Sequence, residues 1–431
     1  MSKWGRRSQL VLAAVAASST VALAACSSGG STTGTSAPAA GSSGSAAASK
    51  LTGSPVLLYT IADENTTLQN EPEVYGAAQA AALSINNSGG INGHPVKIEN
   101  CNGQAQANTQ AACARQIVAD HASAVVGYQE VYGDNINPIF QAASIPMVGS
   151  TPEEATDLTS PITFSYNSSI GDQCAAVVVQ FAKMGFTKIG YLELNNPLAV
   201  ALGHQVDKVL KQLKTPSGQS LTSYAVSAPL TAADYTPYVA ELQKDGVQGV
   251  ILLTAASSGG GVMTAASNAG YKMVFGSTAI DFTKQAVLGS LGSIANGFIG
   301  TSPLPDISAN LPGVAKFKAD MTAAAAAGIA NTGTANEDAY SLNAWLSVYA
   351  VAEAAQSIKG DVTSTALIQA LKSAKGLTLQ GLTPPWTPSK PGPAAEPRIS
   401  NLGVWASQYQ GGAYQVLGSS ALNLGPYVGV S

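Results

Sequence analysis

Histidine, cysteine, charge and aromatic surface are all scarce in this chain, and each scarcity narrows the functions open to it. Three histidines occur in 431 residues, His94, His121 and His204. They stand far apart, with no cysteine or carboxylate at ligand spacing, which argues against a metal site. Charged residues make up 11% and aromatics 6%, and 21 Lys+Arg face 25 Asp+Glu for a net charge of -4. A mildly acidic chain without a basic stripe is a poor partner for nucleic acid. After residue 26 no apolar run reaches the roughly 20 residues that a membrane-spanning helix needs. Catalytic constellations are missing as well. Ser258-Gly259-Gly260-Gly261 follows an expected strand and opens a helix, but it lacks the lysine and the spacing of a phosphate loop, so a small-residue helix start is the better reading. Glu153 and Glu154 are adjacent, so their side chains diverge and suit a solvated loop better than an acid/base couple. No cofactor is implied, and an envelope hydrolase is the reading the residues favour least.

What is present begins at the N-terminus. Lys3, Arg6 and Arg7 precede an apolar run from Leu10 to Ala25 that ends in small residues. Leu23-Ala24-Ala25-Cys26 resembles the lipobox of bacterial lipoproteins. That resemblance implies a signal peptide over 1–25 and a lipid on Cys26, holding the mature chain to the outer side of the cell membrane. Residues 26–53 read as a linker: from Ser27 to Ser49 no residue is charged, and Ser, Gly, Thr, Ala and Pro dominate. Such a composition buries too little apolar surface to fold and would span ~25–30 Å as a flexible coil.

The remaining ~380 residues exceed one ordinary domain and suit two lobes. Without the signal, 18 Lys+Arg face 25 Asp+Glu. From Pro55 onward, short β-rich runs alternate with helical patterns, the mark of a parallel sheet flanked by helices. Strands are expected at 56–61, 96–98, 124–126 and 145–148, with helices over 73–88, 108–119 and 135–143. A second series puts helices at 172–183, 200–213, 235–244 and 260–269, and strands at 188–192, 221–226, 250–253, 273–275 and near Phe298. Helices over 312–327 and 336–358 follow, and two alternating runs around Gly411-Gly412 read as a hairpin. The fold class is therefore α/β, two doubly wound lobes with a cleft between them. Cys101 and Cys113, twelve apart on a strand end and the next helix, could close a disulfide or remain two buried thiols. Cys174 is left over, expected as a buried thiol.

In open α/β sheets ligands bind beyond the carboxyl ends of the strands. The loops to watch are 62–72, which holds Asn70, 127–134, 149–157, 194–199, 254–259 and 276–282. Tyr128, Tyr132 and Tyr166 could line a cleft or pack in a core.

Asn86-Asn87-Ser88-Gly89-Gly90-Ile91-Asn92-Gly93-His94-Pro95-Val96-Lys97-Ile98 resembles the helix, Gly-Gly-Ile turn and strand of type I periplasmic solute-binding proteins, the branched-chain amino-acid group. Ala124-Val125-Val126-Gly127, Ser144-Ile145-Pro146-Met147-Val148, Asp172-Gln173 and Thr231-Ala232-Ala233-Asp234-Tyr235 are similar to its next landmarks. The resemblance covers roughly residues 54–420. It implies an N-terminal lobe over 54–170 and 302–385, a C-terminal lobe over 171–301 and 386–431, and three crossovers that act as a hinge. It also implies a monomer that takes a small polar, amino-acid-like solute and passes it to the permease of an ABC importer, with a ligand sensor of the same fold as the alternative. Carried over by position, the ligand residues fall on Tyr128, Glu130, Tyr132, Ser150 and Thr151. The family's two cleft tyrosines fall on Leu198 and Ala255, and its acidic residue falls near Thr278. Asp281, three residues on, could replace that acid or cap a helix over 282–287.

Overall fold

The structure is a computed structural model and describes residues 51–428 apart from 67–69, 130–131, 196, 230–231, 280–281 and 283–286. The signal, Cys26, the linker to residue 50, and the candidate residues Glu130 and Asp281 lie outside the described residues. So does the helix expected over 282–287, in all but its ends.

In the first lobe five strands form one sheet: β1 (Val56–Ile61), β2 (Val96–Cys101), β3 (Ala124–Val126), β4 (Met147–Val148) and β5 (Thr163–Phe164). All are parallel, in the order β2-β1-β3-β4-β5. Between them run α1 (Pro72–Asn87), α2 (Ala107–Ala119), α3 (Gly133–Ala143) and α4 (Ala155–Thr159). Every residue of β3 is buried, as expected of a strand covered on both faces.

The second lobe repeats the plan. It is built from α5 (Ile170–Lys183), β6 (Lys188–Leu194), α6 (Pro197–Leu210), β7 (Thr222–Ala228), α7 (Thr236–Lys244), β8 (Gly249–Leu253), α8 (Ala256–Asn268), β9 (Val274–Thr278), α9 (Val287–Leu291) and β10 (Ile299–Ser302). Its parallel strands run in the order β7-β6-β8-β9-β10, the same winding as the first sheet. A hairpin, β11 (Gly403–Gln410) and β12 (Ala413–Val416), joins antiparallel at the β10 edge, turning at Gly411-Gly412.

Before that hairpin the chain returns to the first lobe as α10 (Pro312–Ala326), α11 (Ala339–Ala355) and α12 (Ser364–Ser373). Helix α11 is buried nearly all round and packs on the alanine-rich α1. Asp338 and Ser341 form its capping box, each side chain bonded to the other's backbone N–H. The first core takes in Tyr166, Leu304 and Trp386, while the second begins at Cys174 and includes Ile299 and Ile399. The chain therefore crosses between lobes three times, between Tyr166 and Cys174, between Ile299 and Leu304, and between Trp386 and Ile399.

Cys101 and Cys113 are bonded, their Cα atoms 5.6 Å apart, joining the end of β2 to α2. Cys174 is buried on α5 and is not part of a disulfide. Among the elements not anticipated are α4, β5 and α9, too short to show a period, and α12, whose apolar face is brief. Helix α8 starts at Ala256 rather than residue 260, so Ser258 to Gly261 lie inside it, with Gly259 N–H bonded to the Ala255 carbonyl. Among the described residues no helix is long and apolar enough to cross a membrane, and no group of His, Cys, Asp and Glu side chains is arranged to hold a metal ion.

Candidate functional site

A sheet wound in the order 2-1-3-4-5 changes direction between its first and third strands, and the crevice beyond the carboxyl ends there is where ligands bind. In the first lobe this point lies between the ends of β1 and β3, with β4 and β5 alongside. The residues that follow these four strands share one property: their polar side chains are buried. Among the described residues, Asp63 Oδ2, Gln129 Oε1, Ser150 Oγ, Thr151 Oγ1, Asn167 Oδ1 and Ser168 Oγ each lack a hydrogen-bond partner. A buried polar atom left unpaired costs about 1–3 kcal/mol, and native proteins hold few of them. Six together at one end of one sheet suit hydrogen bonding to a bound molecule.

The backbone that presents them is pinned. Thr151 N–H donates to the Tyr128 carbonyl at 2.8 Å, and Ser165 Oγ donates to the Ser150 carbonyl at 2.6 Å. Asn167 Nδ2 and Asn343 Nδ2 donate to the Gly149 carbonyl at 3.2 and 2.9 Å. Gly127 and Gly149, which follow β3 and β4, have φ of 64° and 72°. They also admit α11, since a Cβ on Gly127 would lie 2.7 Å from Ala344 Cα and one on Gly149 would strike Ser347.

The sequence-derived candidates separate on this background. Ser150 and Thr151 stand in the row just described. Tyr128 is fully buried beside them at the end of β3. Tyr166 is a correction to the cleft reading: its hydroxyl is held by Asn343 and Ser347 at 2.9–3.0 Å, its ring meets Trp386 edge-on, and it belongs to the first core. Burial pushes its pKa up. Tyr132 precedes α3, and its hydroxyl donates to the Ala105 carbonyl at 2.6 Å, bracing the loop that leads into α2. Asn70 is exposed, and its Oδ1 accepts from Asn65 N–H to close a turn. Ala255 is exposed at the carboxyl end of β8, where it starts α8 and offers no polar side chain. The Leu198 side chain is outside the described residues.

Asp63, Gln129, Asn167 and Ser168 were not singled out from sequence. Asp63 and Gln129 lay inside loops marked for attention, but only the fold shows their side chains to be buried. Gln110 Nε2 donates to Asp63 Oδ1 at 3.2 Å, and Gln129 Nε2 donates to the Tyr340 carbonyl at 3.2 Å.

A cavity of about 50 Å3 spans both lobes, with Asp306, Glu337 and Asp338 on one side and Ala279, Ser302 and Trp405 on the other. It is too small for a solute, since ligand pockets run to roughly 300–1,000 Å3. The groove of about 620 Å3 lined by Pro55, Ser123 and Ile145 lies at the amino ends of β1, β3 and β4, opposite the site. Size alone therefore does not locate the site. The winding of the sheets and the row of unpaired polar atoms mark the strand ends of the first lobe as the candidate.

Comparison with known proteins agrees with the fold. No curated protein sequence matches the chain. Among solved structures, the leucine-, isoleucine-, valine-, threonine- and alanine-binding protein of Brucella ovis is similar with a TM-score of 0.68 at 18% identity, over 87% of this chain and 96% of its own. An extracellular ligand-binding receptor of Verminephrobacter eiseniae gives 0.68 at 15% identity, over 84% and 100%. A fatty acid ABC transporter substrate-binding protein of Thermomonospora curvata gives 0.66 at 14%, over 87% and 94%. At these identities the likeness shows the fold, two α/β lobes of the type I binding-protein kind. The family model described as periplasmic binding protein matches residues 69–392, three quarters of the chain. The chain therefore belongs to the periplasmic binding protein family, whose members bind solutes rather than transform them.

Proposed function

We propose that this protein is an extracytoplasmic solute-binding lipoprotein, tethered through Cys26, that captures a small polar, amino-acid-like molecule between its lobes and delivers it to an ABC importer. The observation that carries this reading is the row of buried, unpaired polar atoms at Asp63, Gln129, Ser150, Thr151, Asn167 and Ser168. The hydroxyls of Ser150, Thr151 and Ser168 can donate to a carboxylate or hydroxyl on the solute, while the amide oxygens of Gln129 and Asn167 can accept from its N–H or O–H groups. Asp63, close by in the row, can accept from an ammonium or amide. Among the related structures, the leucine-, isoleucine-, valine-, threonine- and alanine-binding protein supports the class, and the fatty acid ABC transporter substrate-binding protein offers the contrast. A site of three hydroxyls, two amide oxygens and one carboxylate fits the first chemistry better than a long apolar chain.

Binding would work by difference. The first lobe holds the polar end of the solute, contacts with the second lobe add affinity only when the lobes close, and a closed shape is what a permease could recognise. The full chain is screened by thermal shift against amino acids, amides, short carboxylates, polyols, sugars, aromatic acids and fatty acids. A true ligand at a hundredfold excess over Kd adds about 2.7 kcal/mol of stability. The expected result is a raised Tm with one polar class and no consumption of the molecule. A response confined to fatty acids, or turnover of the hit, would count against the reading.

A further inference from the structure

The first and third crossovers run side by side. Arg398 Nε and Nη2 donate to the Thr163 carbonyl at 2.9 and 2.6 Å, Asn401 Nδ2 donates to the Tyr166 carbonyl at 2.8 Å, and Ser165 pairs with Ile399 as a parallel bridge. Where they meet the second lobe, two buried carboxylates come together. Asp172, in the first turn of α5, has no exposed surface, and Glu396 belongs to the third crossover and is 8% exposed. Gln205 Nε2 on α6 donates to both, at 3.4 Å to Asp172 Oδ1 and 3.3 Å to Glu396 Oε1. One amide nitrogen thus holds the two carboxylates within about two hydrogen-bond lengths of each other. Ser169 Oγ, in the first crossover, reaches both oxygens of Glu396 at 3.2 Å and accepts from Asp172 N–H. Among the described residues, Asp172 Oδ2 has no hydrogen-bond partner.

Two carboxylates this close and this buried do not both ionise without strong opposition. Burial, with the Glu396 charge second, pushes Asp172 up to about 7, and burial raises Glu396. The charged groups around the pair offer little relief. On α6, Lys208 is exposed and only its field reaches Glu396, while His204 acts on Glu193 and Asp207. Arg398 turns its guanidinium onto the Thr163 carbonyl and the Phe164 ring.

We infer that Asp172 and Glu396 form a protonation-dependent latch that fastens the first and third crossovers to the second lobe, and that loss of its proton loosens the hinge and makes solute release sensitive to external pH. The link to solute release rests on the clamp reading above, whereas the latch itself does not. A carboxyl whose pKa is raised by folding stabilises the fold fully below the ordinary carboxylate range, and that contribution is lost as pH rises through the raised value. The latch is therefore closed near pH 5 and opens as pH passes 7.

Hydrogen exchange on the full chain without solute, corrected for intrinsic rates, tests the latch at pH 5 and pH 7.5. Protection of 165–172 and 396–402 in the unaltered protein is expected to fall roughly tenfold or more relative to α1, since one pKa unit is a factor of ten. Asp172→Asn, which keeps the Gln205 acceptor and cannot ionise, should hold its protection at pH 7.5, as should Glu396→Gln. Asp157 is raised to about 6 by burial and titrates in the same range, but it is intact in both variants, so the difference between variant and parent isolates the latch. Equal protection at the two pH values in the parent protein would overturn the latch. So would the same fall in both variants. If a variant does not fold, the parent comparison still decides. Failure of the solute screen with a pH-dependent latch would reject the transport reading alone.

Discussion

Ser150 and Tyr166 each follow a strand of the first sheet and both are fully buried, yet their hydroxyls do opposite work. Ser150 Oγ has no partner among the described residues, whereas Tyr166 is bonded to Asn343 and Ser347. Ser150→Ala removes an unsatisfied group, so the solute-free Tm should hold or rise slightly while affinity for the solute falls by about 1–3 kcal/mol, read by calorimetry. Tyr166→Phe should do the reverse: stability in denaturant falls by about 1–3 kcal/mol as Asn343 Oδ1 and Ser347 lose a partner, with affinity unchanged. Equal affinity in Ser150→Ala and its parent would take this serine out of the binding row. Each lies two residues beyond its strand, so position and residue type in the sequence cannot tell the two situations apart. The helix packed overhead decides, and α11 brings Asn343 and Ser347 to Tyr166 and not to Ser150.

At the scale of elements, the β2 to α2 link is braced covalently. Cys101 and Cys113 close a loop of separation 12, and removing such a crosslink from a chain in an oxidising compartment costs about 3 kcal/mol. Cys113→Ser should therefore lower the Tm when measured without reductant and match the parent when both are reduced. An equal loss in reductant would show that Cys113 matters for packing, since it is buried against the first core. Most elements were readable from period and punctuation: α1 ends where Ser88 and Gly89 leave the helix, and β1 and β3 were expected at their observed bounds. The short pieces were not readable. A two-residue strand such as β5 has no period, and it exists because Met147 and Val148 in β4 give it a neighbour to pair with.

For the whole molecule, the repeated strand order in the two sheets, with three crossovers between them, describes a pair of similar bodies that can move about a narrow connection. If the solute is held by both lobes, saturating ligand should reduce the radius of gyration in small-angle scattering along with raising the Tm. A radius unchanged at saturation would confine binding to one lobe and remove closure from the mechanism. The same fold carries an amino-acid-binding protein and a fatty acid transporter component among its structural relatives. Ligand class therefore rests on the side chains at the strand ends rather than on the fold.

By itself the sequence determined the class of architecture and the alternation of strand and helix, because hydrophobic period and turn residues are local properties that survive in one dimension, while the family showed as a resemblance carried by phrases such as Gly89-Gly90-Ile91-Asn92-Gly93. It also marked the loops that end the strands. Which atoms in those loops lack partners, that Tyr166 belongs to a core, and that Asp172 and Glu396 meet across 224 positions were decided only by the tertiary structure. Burial and hydrogen-bond pairing depend on what packs from elsewhere in the chain, and the carboxylate pair at the hinge exists only because two crossovers and α6 converge on the same few ångströms.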